Sequence, residues 1–528
     1  MGIYLNPGNG GFAEIVSSNY QDKTGLIALI NERICKSGKL MCISRPRRFG
    51  KSYAAKMLCA YYDHTCESES LFDDKEISKS SSYGTHRNKY NVIYLDIAAF
   101  VSDVRRRDGD LKAVVNEIVE SIHAELIEDY PELNNINKLT KCMTAYVKLS
   151  KSKFVFIIDE WDAIIREAKN DADTQNAYLD LLREWFKNGN FTSEAVAAAY
   201  MTGILPIKKD GSESAVSDFM EFTIIQPGPF VDYTGFTETE VRNLCKQYNM
   251  SFEKAKQWYD GYDFRRSEPI YNPYSVMMAM QMGEFRSYWR KTSTAESLKT
   301  YVSMNMDDLQ DKILRLIAGE PVEVYTDDFE NDFETFNSSD DVLTLMIHLG
   351  YLVYDPETSQ ARIPNEELRI EFNRLIKRPA NKRLSELVRN SEKLLKDTLS
   401  GNEEAVASAI VRVRDTNYAP MFYNNEQALR YVIKFAYIIC VDYYLKVEEL
   451  PTGHGIADVV FIPKRDTSLP AMIVELKWNK TAEGALKQIK ENHYPELLSD
   501  YVGEMMLVGI NYNEETKEHS CKIEKIRI

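Results

Sequence analysis

Apolar residues along this chain fall into two kinds of run. Short unbroken stretches read as strands buried on both faces: Leu40–Ser44 (LMCIS), Asn91–Ile97 (NVIYLDI), Phe154–Asp159 (FVFIID) and Ala195–Gly203 (AVAAAYMTG). Longer amphipathic stretches lie between them, such as Leu111–Leu126 (LKAVVNEIVESIHAEL). Strands alternating with helices predict a parallel sheet covered on both sides over roughly the first 230 residues. From Gly235 to about residue 318 the pattern turns mostly helical, with Thr237 as the N-cap of a helix opening at Glu238. An acidic, turn-rich connector follows at Val324–Asp341. Val342–Ile376 then reads helix, strand, turn, strand, helix, the order of a small winged-helix module. The basic, Pro-containing stretch Lys377–Arg383 leads into a last region of about 145 residues. There helices precede two strands, IADVVFI and AMIVELKW.

Composition narrows the classes open to such a chain. Its 528 residues allow several domains, and 44% hydrophobic content supplies ordinary cores. The net charge of −15 argues against a surface coated for nucleic acid, though it permits a local basic groove. Between Phe461 and Lys490 there are six Lys/Arg against three Asp/Glu, and Arg374, Lys377, Arg378, Lys382 and Arg383 lie just upstream. The eight cysteines contain no CxxC pair, which disfavours a zinc ribbon or disulfide framework and fits a reducing compartment. No signal peptide and no apolar run of about 18 residues is seen, so the expected setting is soluble and cytoplasmic, without a membrane. The seven histidines show no metal-ligand spacing.

Two stretches carry chemistry. The first is Cys42–Leu58, CISRPRRFGKSYAAKML. Strand, loop, Gly50-Lys51-Ser52 and helix form the context of a phosphate-binding loop of the pattern G-x-x-x-x-G-K-[ST], with Arg45 in place of the first glycine. Backbone N–H groups at the helix start form an anion nest, Lys51 reaches the β- and γ-phosphates, and Ser52 ligates Mg²⁺. Losing the first glycine removes a flexible turn but leaves these groups in place. The second half of such a site is an acidic strand end. FVFIIDEWD supplies Asp159 for Mg²⁺ and Glu160 to orient an attacking water. Arg45, Arg47 and Arg48 either add positive charge near the phosphates or form a solvated basic loop. Thr202 ends its strand either as a sensor of the γ-phosphate or as part of a plain Thr-Gly turn.

The second stretch is GIADVVFIPKRDTSLPAMIVELKW. Asp458 lies on one strand, and Glu475 and Lys477 lie on the next. Positions i and i+2 share a strand face, so Glu475 and Lys477 converge while Leu476 points the other way. Two carboxylates and a lysine suit metal-dependent phosphodiester hydrolysis: Asp458 and Glu475 hold Mg²⁺, and Lys477 positions water or stabilises developing charge. By spacing alone, two amphipathic strands with a surface Glu–Lys pair explain the pattern as well.

YQDKTGLIALI, SRPRRFGKS, FIIDEWDAII, MTGILPI, GFTETEV, WYDGYDF and IYNPYSV occur in the order of a bacterial family, which the chain resembles over nearly its whole length. These are the predicted AAA-type ATPase-like proteins with a C-terminal PD-(D/E)XK nuclease-like domain. The resemblance implies a fold of the α/β class: a P-loop NTPase parallel-sheet domain over 1–234, a helical lid over 235–318, a winged-helix module over 319–378, and a restriction-endonuclease-like α/β domain over 379–528. It implies that the loop Arg45, Pro46, Arg47, Arg48, Phe49, Gly50, Lys51 and Ser52 binds ATP in the family's own form, with Asp159 and Thr202. It favours the nuclease reading of Asp458, Glu475 and Lys477, and adds Glu426 on the first helix of that domain and Gln488 on the helix after the Glu-x-Lys strand. Both also read as polar positions on amphipathic helices. WYDGYDFRR and YNPYS are hallmarks without derivable chemistry: a packed turn, with Arg265 or Arg266 as an alternative γ-phosphate contact. The expected function is an ATP-hydrolysing protein coupled to a Mg²⁺-dependent nuclease, with nucleic acid, DNA before RNA, as partner. The competing readings are a nucleotide-dependent switch whose nuclease-like domain only binds nucleic acid or protein, and an ATPase acting on protein partners alone.

Overall fold

The strongest apolar runs pair side by side. In the computed structural model, β1 (Leu40–Ser44), β2 (Asn91–Asp96), β3 (Phe154–Asp159), β4 (Val196–Gly203) and β5 (Met220–Phe222) form one sheet in the order β2-β3-β4-β1-β5. Each pairing is parallel. The structure describes all residues except 1, 108, 170, 208, 211–212, 215, 217, 263, 265–267, 290–297, 299–300, 302–303, 305–307, 328, 330–335, 377–381, 418–424, 452–455, 465–467, 493, 495–502 and 528. Arg265 and Arg266 therefore lie outside the described residues.

Successive strand residues feed two separate cores, as a sheet covered on both faces requires. Leu40, Cys42, Phe156, Ile158 and Met201 enter one, with helix residues Ile118, Tyr146 and Trp185. Met41, Ile43, Val155, Ile157 and Tyr200 enter the other, with Ala55 and Leu58 of α1 (Lys51–Tyr62). The register of β3 on β4 shifts once. Phe154 faces Val196, but Val155 faces Ala198, and from there the ladder runs to Asp159 opposite Thr202. Without that extra residue Asp159 would face Met201, whose side chain belongs to the other core. The bulge thus sets Thr202 beside Asp159 on the face covered by α1.

Past β4, Thr237 caps the helix Glu238–Gln247 in a full capping box with Glu240. Helices Phe252–Tyr259 and Pro273–Met282 follow, the second capped by Asn272 with Pro273 at its first position. The expected order of helix, strand, turn, strand and helix is present: α2 (Ser339–His348), an antiparallel hairpin of β6 (Val353–Asp355) and β7 (Gln360–Arg362), and a helix at Glu366–Ile376.

The chain divides into two compact units. The first comprises Met1–Tyr301 and Glu323–Leu368, and so holds the parallel sheet with the β6–β7 hairpin; the second comprises Val302–Val322 and Arg369–Ile528. The second is built on α3 (Glu426–Ala436), β8 (Tyr444–Pro451), β9 (Ile456–Pro463), β10 (Ala471–Trp478), α4 (Ala482–Glu491), β11 (Glu504–Asn513) and β12 (Glu518–Arg527). Its sheet runs β8-β9-β10-β11-β12. Only β10 and β11 pair in parallel, joined by the α4 crossover; the other neighbours are antiparallel. None of the eight cysteines, all among the described residues, forms a disulfide. No helix among the described residues is long and apolar enough to cross a membrane.

Candidate nucleotide and nuclease-like sites

The first site forms where β1, β3 and β4 end. Ser52, in the first turn of α1, donates its hydroxyl hydrogen bond to Asp159. Asp159 is 1% exposed. Burial pushes its carboxyl up to about 6, against the Ser52 hydrogen bond, and Glu160 adds to the rise. Thr202 is fully buried, and its Oγ1 has no hydrogen-bond partner among the described residues. Lys51 Nζ donates to the carbonyl oxygens of Arg45 (3.1 Å) and Pro46 (3.0 Å), and lies 3.7 Å from Glu160 Oε1.

Glu160 sits in the left-handed region at φ 50°, a strained position for a residue with a Cβ. Burial would raise its carboxyl, but Lys51, Arg166 and Arg47 together hold it below the usual carboxylate range. Arg166 binds Glu160 Oε2 at 2.5 Å and Asp162 Oδ2 at 3.1 Å. Asp162 Oδ2 in turn accepts the N–H groups of Ile204 and Leu205 beyond β4. A cleft of about 710 Å³ opens on this edge, lined by Arg47, Arg48, Ser52, Asp96, Asp159 and Glu160 among others.

The loop itself corrects one expectation. Arg45 does not supply positive charge to a phosphate. Its side chain is 1% exposed and points into the protein. It donates to Thr234 Oγ1 (2.9 Å) and to the carbonyls of Ser44 (2.9 Å), Phe222 (2.8 Å), Thr223 (3.0 Å) and Pro227 (3.2 Å). Burial pulls its guanidinium down to about 10. Where most such loops keep a glycine, this one roots itself in the chain after β5. Phe49 is likewise a core anchor, edge-on to Tyr262 at 5.2 Å, and serves the loop through its backbone alone. Pro46 packs where any Cβ on Gly350 would fall, 2.7 Å from Pro46 Cβ. Arg48 (φ 72°) lies over the Tyr274 ring at 3.9 Å, and Gly50 holds φ 83°. Alternating left-handed residues turn successive N–H groups to one side, the anion nest expected here.

The second site forms on β9 and β10. Their antiparallel register pairs Val459 with Val474. One step further, Asp458 comes opposite Glu475. The ladder opens at that step, because the Leu476 N–H donates to Asp458 Oδ2 (2.8 Å) rather than to a backbone oxygen. Asp458, Glu475 and Lys477 are 6%, 1% and 8% exposed. Lys477 Nζ donates to Glu475 Oε1 at 3.1 Å. Glu475 Oε2 is buried without a hydrogen-bond partner among the described residues. Burial first, then the neighbouring Asp458, push the Glu475 carboxyl up to about 7, with Lys477 opposing.

The structure thus brings Asp458, Glu475 and Lys477 together. Glu426 opens α3, but the residue of that helix that reaches the carboxylates is Arg430, one turn on, whose Nη2 lies 2.5 Å from Asp458 Oδ1. Gln488 on α4 is within 3.5 Å of the Tyr494 hydroxyl. Arg430 and Arg166 escape the sequence reading because an arginine on a helix carries no mark of its partner. No group of three or more metal-ligating side chains occurs among the described residues, so a cation here would rest on two carboxylates.

A parallel-sheet phosphate-loop unit and a mixed-sheet unit with a D…E-x-K constellation define a P-loop NTPase-like protein carrying a nuclease-like domain. Residues 8–212 match the family described as predicted AAA-ATPase, and residues 424–521 match the PD-(D/E)XK nuclease superfamily. The chain is 22% identical over 518 residues to an uncharacterized protein in the vnfD 5′ region of Azotobacter chroococcum mcd 1, covering 94% of this chain and 93% of that one. Among solved structures, the Walker-type ATPase PABY2304 of Pyrococcus abyssi aligns at 11% identity over 66% of this chain and 94% of that one, with a TM-score of 0.32. The ORC2 protein of Aeropyrum pernix, in its ADPNP–ADP complexes, aligns at 11% identity over 68% and 96%, with a TM-score of 0.30. Neither structural likeness carries weight at that score.

Proposed function

We propose that the first unit binds and hydrolyses ATP, that the second cleaves nucleic acid, DNA before RNA, and that the first activity controls the second. What carries this reading is that one chain holds two sites, each with the reacting groups its chemistry needs. Lys51, Ser52, Asp159, Glu160 and Thr202 stand at one sheet edge, and Asp458, Glu475 and Lys477 stand on another.

In the first site Lys51 exchanges its two loop carbonyls for phosphate oxygens. Ser52 and Asp159 are the residues to hold Mg²⁺, and the orphaned Thr202 hydroxyl fits a buried phosphate or water partner. Mg²⁺ supplies charge neutralisation to the phosphates. Glu160, kept ionised by Lys51, Arg166 and Arg47, orients the attacking water and accepts its hydrogen bond. In the second site Asp458 and Glu475 are the residues to hold the cation, and the unpartnered Glu475 Oε2 fits that role. Lys477 positions the water and offers its charge to the phosphate as negative charge develops. A cytoplasmic role in genome defence or mobile-element biology accords with such an ATPase–nuclease pair.

The test compares wild type with Lys51→Ala and Glu475→Ala. Each is incubated with linear, circular and single-stranded DNA and with RNA, with Mg²⁺ or Mn²⁺, with and without ATP. The expected result is cleavage lost in Glu475→Ala, and ATP-responsive only when Lys51 is intact. No cleavage under any condition, with ATP turnover still dependent on Lys51, would leave a nucleotide switch with a binding domain.

A further inference from the structure

Asp458 carries two loads in this structure. Oδ2 accepts the Leu476 N–H, and Oδ1 holds the Arg430 guanidinium. Lys477 takes Glu475 Oε1, which leaves Glu475 Oε2 as the carboxylate oxygen with no partner among the described residues. Two buried carboxylates facing each other across adjacent strands repel, and each is matched by one cation: Asp458 by Arg430, and Glu475 by Lys477. A divalent ion held by the carboxylates would add two positive charges to a site where each carboxylate already has a cationic partner. It would also meet the Arg430 guanidinium at the oxygen it needs. Like charges that close compete for one buried carboxylate oxygen, and the dication attracts it more strongly than the single charge of the arginine. Once displaced, a planar guanidinium at the edge of a cation-filled site is matched by a tetrahedral oxyanion, to which it binds through two parallel N–H groups. Arg430 stands on the solvent side of Asp458, its side chain 21% exposed against 8% for the Asp458 side chain.

We infer that Arg430 is a phosphate-binding residue of the second site, one that occupies Asp458 until a divalent cation replaces it and then holds the phosphodiester of the substrate. The inference rests on the reading of this site as metal-dependent, and it makes cation binding and phosphate binding interdependent. With no anion present, the cation must displace Arg430 from Asp458. With a nucleic-acid phosphate present, the displaced arginine gains a new partner.

The test measures Mn²⁺ binding calorimetrically to the full chain, with and without a phosphorothioate DNA duplex that resists cleavage. Cleavage of the ordinary duplex is followed in parallel. Wild type is expected to bind Mn²⁺ more tightly when the duplex is present. Arg430→Gln is expected to bind Mn²⁺ about tenfold more tightly than wild type in its absence, since a competing charge is gone. It is also expected to gain little from the duplex and to cleave with a raised KM. Arg430→Lys keeps the charge, so it retains the dependence on duplex in weaker form; this variant guards against a glutamine variant that fails to fold. Mn²⁺ binding that is unchanged or weaker in Arg430→Gln, with the duplex effect intact, overturns the inference. Mn²⁺ binding to none of the proteins overturns it together with the metal-dependent reading. The expected shifts in Mn²⁺ binding with no cleavage of any nucleic acid would uphold Arg430 as the phosphate contact and sink the nuclease activity alone.

Discussion

Arg45 shows how one residue can match a motif position and do a different job. Its neighbours on the strand and loop are readable, but most of its partners lie about 180 residues away, among them the carbonyls of Phe222 on β5 and of Thr223 after it. Nothing in the local spelling RPRRFGK reports them. Restoring the glycine found in most phosphate loops, Arg45→Gly, is therefore expected to weaken the fold. It strips hydrogen bonds from several buried carbonyls, at roughly 3 kcal/mol or more in total, and denaturant unfolding of the two proteins measures it. Glu475 gives a second residue-level test. Its carboxyl is raised in the fold from an ordinary 4.5 to about 7, so the native state holds a proton that the unfolded chain has lost. That contribution is complete below about pH 4.5 and is lost as pH rises through about 7. Wild type is expected to lose up to roughly 3 kcal/mol from this source across the window, and Glu475→Gln to show a flatter profile. Equal slopes for the two proteins in melts from pH 4.5 to 8 would count against it.

Elements were the most legible level, for a physical reason. Strands buried on both faces must be apolar throughout, so β1, β3 and β4 announce themselves, and Thr237 announces the helix it caps. β5 is only three residues long and partly exposed, and it left no such mark. β8, β11 and β12 are not marked in the pattern either, which in that region singles out the two strands that carry Asp458, Glu475 and Lys477. The bulge on β4 was out of reach as well, because register is a property of two strands together. What WYDGYDF does is an element-level answer. Gly261 holds φ 117° against the Pro364 carbonyl, where a Cβ would come within 2.2 Å, and Asn365 Nδ2 donates to the Asp260 carbonyl at 2.8 Å. Tyr262 sets its ring on Phe49 of the phosphate loop and donates its hydroxyl to the Gly350 carbonyl at 2.6 Å, just past α2. The motif is a buried joint between the phosphate loop and the α2–β7 segment of the same unit. Tyr262→Phe keeps the ring and removes the donor, leaving a buried carbonyl without its partner. A loss of about 1–3 kcal/mol is expected in equilibrium unfolding, with nucleotide affinity reduced through the displaced loop. Unaltered stability and affinity would reduce the joint to simple packing.

At the scale of the molecule, the sequence conveyed the order of the parts, because both motifs sit in the strand–loop–helix and strand–strand contexts their chemistry needs. Compactness groups the parallel sheet, the helices after it and the β6–β7 hairpin into one unit, and gives Val302–Val322 to the other. Two units with separate cores predict separable unfolding. Heating or urea should give two transitions. On the proposed function a non-hydrolysable ATP analogue with Mg²⁺ would bind only the folded first unit, so at about a hundred times its Kd it should stabilise one transition by about 2.7 kcal/mol and leave the other in place. Lys51→Ala should abolish that shift, and Glu475→Ala should preserve it, because Glu475 belongs to the second unit. A single transition that moves as a whole would mean that the two units unfold as one cooperative body. Nucleotide binding would then be felt at the second site through shared stability, and control of cleavage by ATP would need no separate moving part.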